Sequence, residues 1–206
     1  MQGCNKNKKP TISPFQAASV FKEMRDCRRE FCNDDKYFKV IEVWEYLASE
    51  TPEIKIKSFD SKGEVQSKKA GVVAFGDRFT LIASRELLKR AKNGCWFSNF
   101  TLAHELGHIA LDHHALGAVV KNFELFASSS GLINDPPTYE ELEATFAAVL
   151  FQCGVALFDQ SWTPVELAKR AYSDPKYIQK AMELCVSPEF KSELARLDQV
   201  KKRVVL

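Results

Sequence analysis

A chain of 206 residues, 45% apolar and 27% charged, can bury a sizeable core without disulfides or a structural metal. Its 29 basic and 27 acidic side chains leave a net charge of +2, so no global field points to nucleic acid or an anionic membrane. Collagen-like, coiled-coil and wholly disordered chains are excluded by the same composition.

The N-terminal segment Met1–Pro10 is polar and carries Lys6, Lys8 and Lys9, with no secretory apolar run and no glycine at position 2 for myristoylation. With no secretory run, an intracellular, cytoplasmic protein is expected, and its six cysteines, which form no CxxC pair, are expected to be reduced thiols. Residues 1–12 read as a disordered tail. Helical spacing runs from Ser13 to about Arg29 (Phe15, Val20, Phe21, Met24) and again from Asp35 to Ala48, where Pro52 closes it. Ile54 and Ile56 alternate with lysines in a half-buried strand. Gly71–Phe75 and Arg78–Ala83 flank Gly76-Asp77 as a hairpin. A short helix should follow from Ser84 to Lys92, ended by Gly94. The next helix is expected to be capped by Ser98 or Asn99 and ended by Gly117.

A long segment, Gly117 to Pro137, precedes a helix opened by Thr138 or Asp135. Its apolar run Ala144–Phe158 spans 15 residues, too few for a bilayer, and predicts a buried helix rather than a membrane contact. Three proline-started helices follow, at Thr163-Pro164, Asp174-Pro175 and Ser187-Pro188.

All four histidines fall within His104-Glu105-Leu106-Gly107-His108-Ile109-Ala110-Leu111-Asp112-His113-His114. The first five residues spell HExxH. On a helix, His104 and His108 stand one turn apart on one face and can share a zinc ion. Glu105 beside them can take a proton from water. A catalytic zinc normally has three protein ligands. Glu141 is one candidate for the third, because Ala144, Thr145 and Ala148 continue its stripe with small residues that let two helices approach. A capping box with Thr138 would instead point Glu141 back at its helix start. Glu140 and Glu143 are alternatives. So is His114, at the metzincin spacing, although Leu111 stands where that pattern needs glycine. His113 and His114 otherwise read as exposed helix-end residues. Tyr139 and His114 are candidate donors to a developing oxyanion.

Phe100-Thr101-Leu102-Ala103-His104-Glu105-Leu106-Gly107-His108, Glu141-x-Glu143-Ala144 and Phe146-Ala147-Ala148 resemble the ImmA/IrrE family of metallopeptidases, and the likeness continues through Val165–Arg170. The family places one more residue before the Phe-Ala element, so alignment on Phe146 brings Glu140 into register in place of Glu141. The resemblance implies an α+β fold: a zincin-like core of small sheet and active-site helix with a helical, helix-turn-helix-like C-terminal subdomain. It divides into a tail (1–12), a catalytic domain (13–160) and a helical subdomain (161–206). It further implies zinc on His104, His108 and Glu141, with Glu105 catalytic. The implied substrate is a helix-turn-helix repressor, which would tie the protease to transcription regulation.

Glu166–Glu183 itself reads like a helix-turn-helix, with Lys176, Gln179 and Lys180 exposed. Tyr172 occupies the turn position that favours glycine, so a structural or repressor-docking subdomain is expected before a DNA-binding one. The rival classes are a DNA- or protein-binding regulator on this fold and a metal-dependent hydrolase of non-peptide substrates. Segment Lys121–Pro137 lies between the two ligand-bearing helices and is placed to shape the cleft.

Overall fold

Ser13 starts the first helix with a reciprocal cap. Its hydroxyl accepts from the Gln16 N–H at 3.2 Å, and the Gln16 side chain accepts from the Ser13 N–H at 3.1 Å. In the computed structural model, which describes residues 11–32, 36–60, 69–114 and 138–204, this opens α1 (Pro14–Phe31). Ile12, assigned from sequence to a disordered tail, is buried against the core; the rest of that tail to residue 10 lies outside the described residues. The second helix, α2 (Val40–Glu50), begins five residues later than its spacing predicts. The reason is Arg28. Fully buried on α1, it donates to the carbonyls of Phe151, Gln152 and Lys36, and its guanidinium lies 4.9 Å from the Phe38 ring centroid. Those contacts fall on Lys36 and Phe38, just ahead of Lys39, the extended N-cap residue of α2.

Three strands follow: β1 (Ile54–Phe59), β2 (Ala70–Phe75) and β3 (Arg78–Ser84). The sheet order is β1-β3-β2, with β1 parallel and β2 antiparallel to β3. Gly76, at φ +56°, makes the expected hairpin turn. The Ser84 N–H donates to the Lys69 carbonyl at 3.0 Å, which fixes the alternation of the ladder. Gly71 and Val73 therefore face β3 with their backbone groups, while Ala70, Val72 and Ala74 turn theirs to the opposite edge.

Ser84 caps α3 (Arg85–Lys92), and α4 (Trp96–Ala110) carries the HExxH motif. Cys95, not Ser98 or Asn99, is its N-cap residue. Asn99 instead sits buried one turn inside and uses its amide as a staple. It donates to the Ala91 and Cys95 carbonyls at 2.9 and 3.1 Å and accepts from the Ile41 N–H at 3.4 Å. The Trp44 indole donates to the Leu102 carbonyl at 2.9 Å, so α4 is tied to α2 twice.

Thr138 caps α5 (Tyr139–Cys153), and a 3-10 turn continues it from Gly154 to Phe158. By length and composition Tyr139–Phe158 could cross a bilayer (mean hydropathy 1.5), yet 61% of its apolar window is buried inside the fold. It is the central core helix. The three proline-started helices are α6 (Pro164–Ala171), α7 (Pro175–Cys185) and α8 (Pro188–Val204), each led by its expected cap: Thr163, Asp174 and Ser187. Tyr172, between α6 and α7, adopts the left-handed conformation (φ +53°) despite its side chain, and its carbonyl accepts from the Gln152 amide at 2.7 Å. Leu167, Ala171, Ile178 and Phe190 join the same core cluster as Phe21, Trp44 and Leu102. Among the described residues this is an α+β arrangement of eight helices and a three-stranded sheet. Cys27, Cys32, Cys95, Cys153 and Cys185 are free thiols.

What positions the site is the contact of α4 with α5. A Cβ on Gly107 would fall 2.9 Å from the Ala147 Cβ and 3.1 Å from the Ala144 carbonyl oxygen, neither of which is a flexible group. Gly107→Ala is therefore expected to force the two helices apart and lower stability by about 1–3 kcal/mol. The same change should weaken metal binding, because His104 and His108 sit on one helix and Glu141 on the other. Thermal melting beside zinc titration checks both effects.

Candidate metal centre

His104 and His108, one turn apart on α4, present edge-to-face rings with centroids 4.8 Å apart. Their Nε2 atoms lie 3.1 Å from each other. Glu141, in the first turn of α5, reaches across to both: Oε2 is 3.1 Å from His104 Nε2, and Oε1 is 3.5 Å from His108 Nε2. One donor atom from each of the three residues lies within 4.8 Å of the others, so the group could hold a metal ion. Two imidazole nitrogens and a carboxylate oxygen are a donor set suited to zinc with an open position. The fit is chemical as well as geometric.

Both alternatives for Glu141 are partly realised. Thr138 does cap the helix, accepting from the Glu141 backbone N–H at 3.2 Å, but the Glu141 side chain points to the histidines and not back to the cap. Burial raises the Glu141 pKa, but the hydrogen bonds and charge of His104 and His108 outweigh it. The carboxylate is held well below its ordinary range.

Glu105 is buried on the side of α4 that faces β2. The Val72 N–H, one of those turned away from β3, hydrogen-bonds its carboxyl. Burial is the largest influence on this group and pushes its pKa up to about 8; His108 and the Val72 N–H pull down, and the Glu141 charge pushes up. A buried carboxyl beside a group of metal donors is placed for proton transfer.

The remaining candidates separate cleanly. His114 is tilted against Phe79 (centroids 6.0 Å apart) and stands outside the three-donor group. Glu143 is not in that group and lies 3.3 Å from His113 Nε2. Glu140 is not part of the donor set either, and Tyr139 is exposed at the start of α5. Glu141→Ala is thus expected to weaken zinc binding by at least about 100-fold, and His114→Ala by only a few-fold. Competition with a chromophoric chelator measures both; the reverse ranking would make His114 the third ligand.

Sequence reasoning missed the groups behind the donors. Thr145 Oγ1 lies 3.3 Å from His104 Nδ1, and His113 Nδ1 lies 2.9 Å from His108 Nδ1. His113 is not an exposed helix-end residue: its side chain is 8% accessible. The helix ends at Leu111 without reaching Gly117, through a turn in which Asp112 takes φ +54°. There the Asp112 N–H donates to the Ile109 carbonyl and the His113 N–H to the His108 carbonyl, each at 3.0 Å. That turn folds His113 back over His108. Gly117 and the segment Lys121–Pro137 lie outside the described residues.

No family model, curated protein or solved structure matches this chain.

Proposed function

We propose that this chain is a cytoplasmic, zinc-dependent endopeptidase of the ImmA/IrrE type on a zincin-like core, with His104, His108 and Glu141 as ligands and Glu105 as general base. The observation that carries this reading is the convergence of three metal donors beside a buried carboxyl at a sheet edge. When bound, zinc lowers the pKa of a coordinated water to about 7 and polarises a carbonyl group.

The chain's own residues supply the rest. Glu105 accepts a proton from the attacking water on a carboxylate oxygen and delivers it to the departing amine, one proton in and one out. The Val72 N–H keeps that carboxyl aimed from β2. An extended peptide lying along β2 would find the backbone groups of Ala70 and Ala74 turned toward it, two residues either side of Val72. Pairing there would hold a peptide bond beside Glu105 by main-chain hydrogen bonds.

The motif likeness supports a helix-turn-helix repressor as the substrate. The α6–α7 pair contributes structurally. Tyr177 of α7 stacks on Phe100 of the motif helix, with centroids 5.5 Å apart and planes 6° from parallel, so α7 braces the catalytic helix. Lys176 and Lys180 flank that Tyr177 ring and remain exposed for a partner.

Incubating the protein, and separately its Glu105→Gln variant, with repressors encoded beside it and weighing the fragments tests the reading. One clean cut by the wild type, none by the variant, and slow digestion of casein are expected. Vigorous casein digestion would contradict the narrow substrate range. Tight DNA binding by the zinc-loaded protein with no cleavage would favour a regulator on this fold.

A further inference from the structure

We propose that His113 and Glu143 are positioning residues that fix the proton on the outer nitrogen of His108 and so present its Nε2 lone pair to the metal. The inference rests on the reading of His104, His108 and Glu141 as a zinc site.

His108 Nε2 faces the donor group, 3.1 Å from His104 Nε2 and 3.5 Å from Glu141 Oε1. A neutral imidazole carries one ring proton, so a ligating Nε2 requires that proton on Nδ1. His108 Nδ1 lies 2.9 Å from His113 Nδ1, and between two such nitrogens only one can donate. The metal-competent arrangement has His108 donating and His113 accepting. His113 must then carry its own proton on Nε2, and there it meets Glu143 Oε2 at 3.3 Å. A carboxylate can only accept. Glu143 thus selects the tautomer of His113, and His113 selects that of His108. The opposite order, with His113 donating from Nδ1, would put the His108 proton on Nε2 and block ligation.

The fold builds this relay from two elements. The turn at Asp112 delivers His113 from the end of α4, and Glu143 comes from α5 two residues beyond Glu141. At about 100° per residue, positions 141 and 143 of α5 point roughly 200° apart, so one carboxylate serves the metal and the other serves the relay. His104 has a simpler support, since Thr145 Oγ1 can accept from its Nδ1 at 3.3 Å. Outer contacts of this kind typically contribute 10–100-fold to metal affinity.

The test is zinc affinity of the whole chain by chelator competition, with thermal melting of the metal-free protein alongside. Glu143→Ala and His113→Ala are each expected to weaken zinc binding about 10–100-fold. Metal-free melting separates the two roles: a loss of positioning alone leaves it nearly unchanged, whereas a loss of packing lowers it. His113→Asn retains an acceptor for His108 Nδ1 and should recover part of the affinity lost in His113→Ala. In the His113→Asn background Glu143→Ala should have much less effect than in the wild type, because the tautomer it selects is gone. Unchanged zinc affinity in both alanine variants, while His104→Ala still loses the metal, would overturn the relay and leave the zinc site standing. A folded wild type that takes up no zinc would overturn both.

Discussion

Replacing Glu105 by Gln is expected to leave zinc in place and to lower peptide hydrolysis by about 10²–10⁴-fold. The amide nearly matches the carboxyl in size but cannot accept the proton of the attacking water. The donor group His104, His108 and Glu141 is untouched. A second consequence concerns stability. The buried carboxyl of Glu105 has its pKa pushed up to about 8 in the metal-free fold, against an ordinary value of 4.5. The folded chain therefore binds more protons than the unfolded chain between those two values, and metal-free stability contributed by this group falls as pH rises from about 4.5 to 8. Glu105→Gln carries no such dependence. The stability difference between variant and wild type should grow in the variant's favour across that window, and melting curves at pH 5 and pH 8 measure it. Added zinc should narrow the gap, because a nearby dication favours the ionised carboxylate. A variant that loses zinc and activity together would contradict the assignment of Glu105 as base.

Metal removal is the second large effect. Chelation should bring wild-type hydrolysis to background, and about one equivalent of zinc should restore it. His104→Ala and His108→Ala should remain inactive after zinc addition and bind the ion at least about 100-fold more weakly, each having lost one of three donors. Full restoration of either variant would mean that the donors lie elsewhere.

Much of this arrangement is legible in the residues themselves. The four-residue spacing of His104 and His108 specifies one face of a helix, and Gly107 with the stripe Ala144, Thr145 and Ala148 marks where a second helix comes close, the contact itself falling on Ala144 and Ala147. Proline after a capping side chain located three helix starts to the residue. What escaped has a common physical cause: it depends on residues doing something other than their commonest local task. Asn99 has the side chain of a cap, yet its buried amide links Ala91, Cys95 and Ile41. Asp112 holds a left-handed turn usually given to glycine, so the helix ends early and His113 folds inward. Arg28, a charged residue in the last turn of α1, is buried against the carbonyls that close α5. The small-residue stripe at Ala144, Thr145 and Ala148 singles out Glu141 over Glu140 and Glu143, but the contact of Glu143 with His113 depends on its angular position on α5 against a neighbouring helix.

The most direct measurement is the zinc content of the purified, folded chain by elemental mass spectrometry, beside the same chain carrying His104→Ala and Glu141→Ala together. About one zinc per wild-type chain and essentially none in the double variant is the predicted result. A folded wild type without zinc that takes up none on titration, or a double variant that keeps its zinc, would contradict the proposed centre.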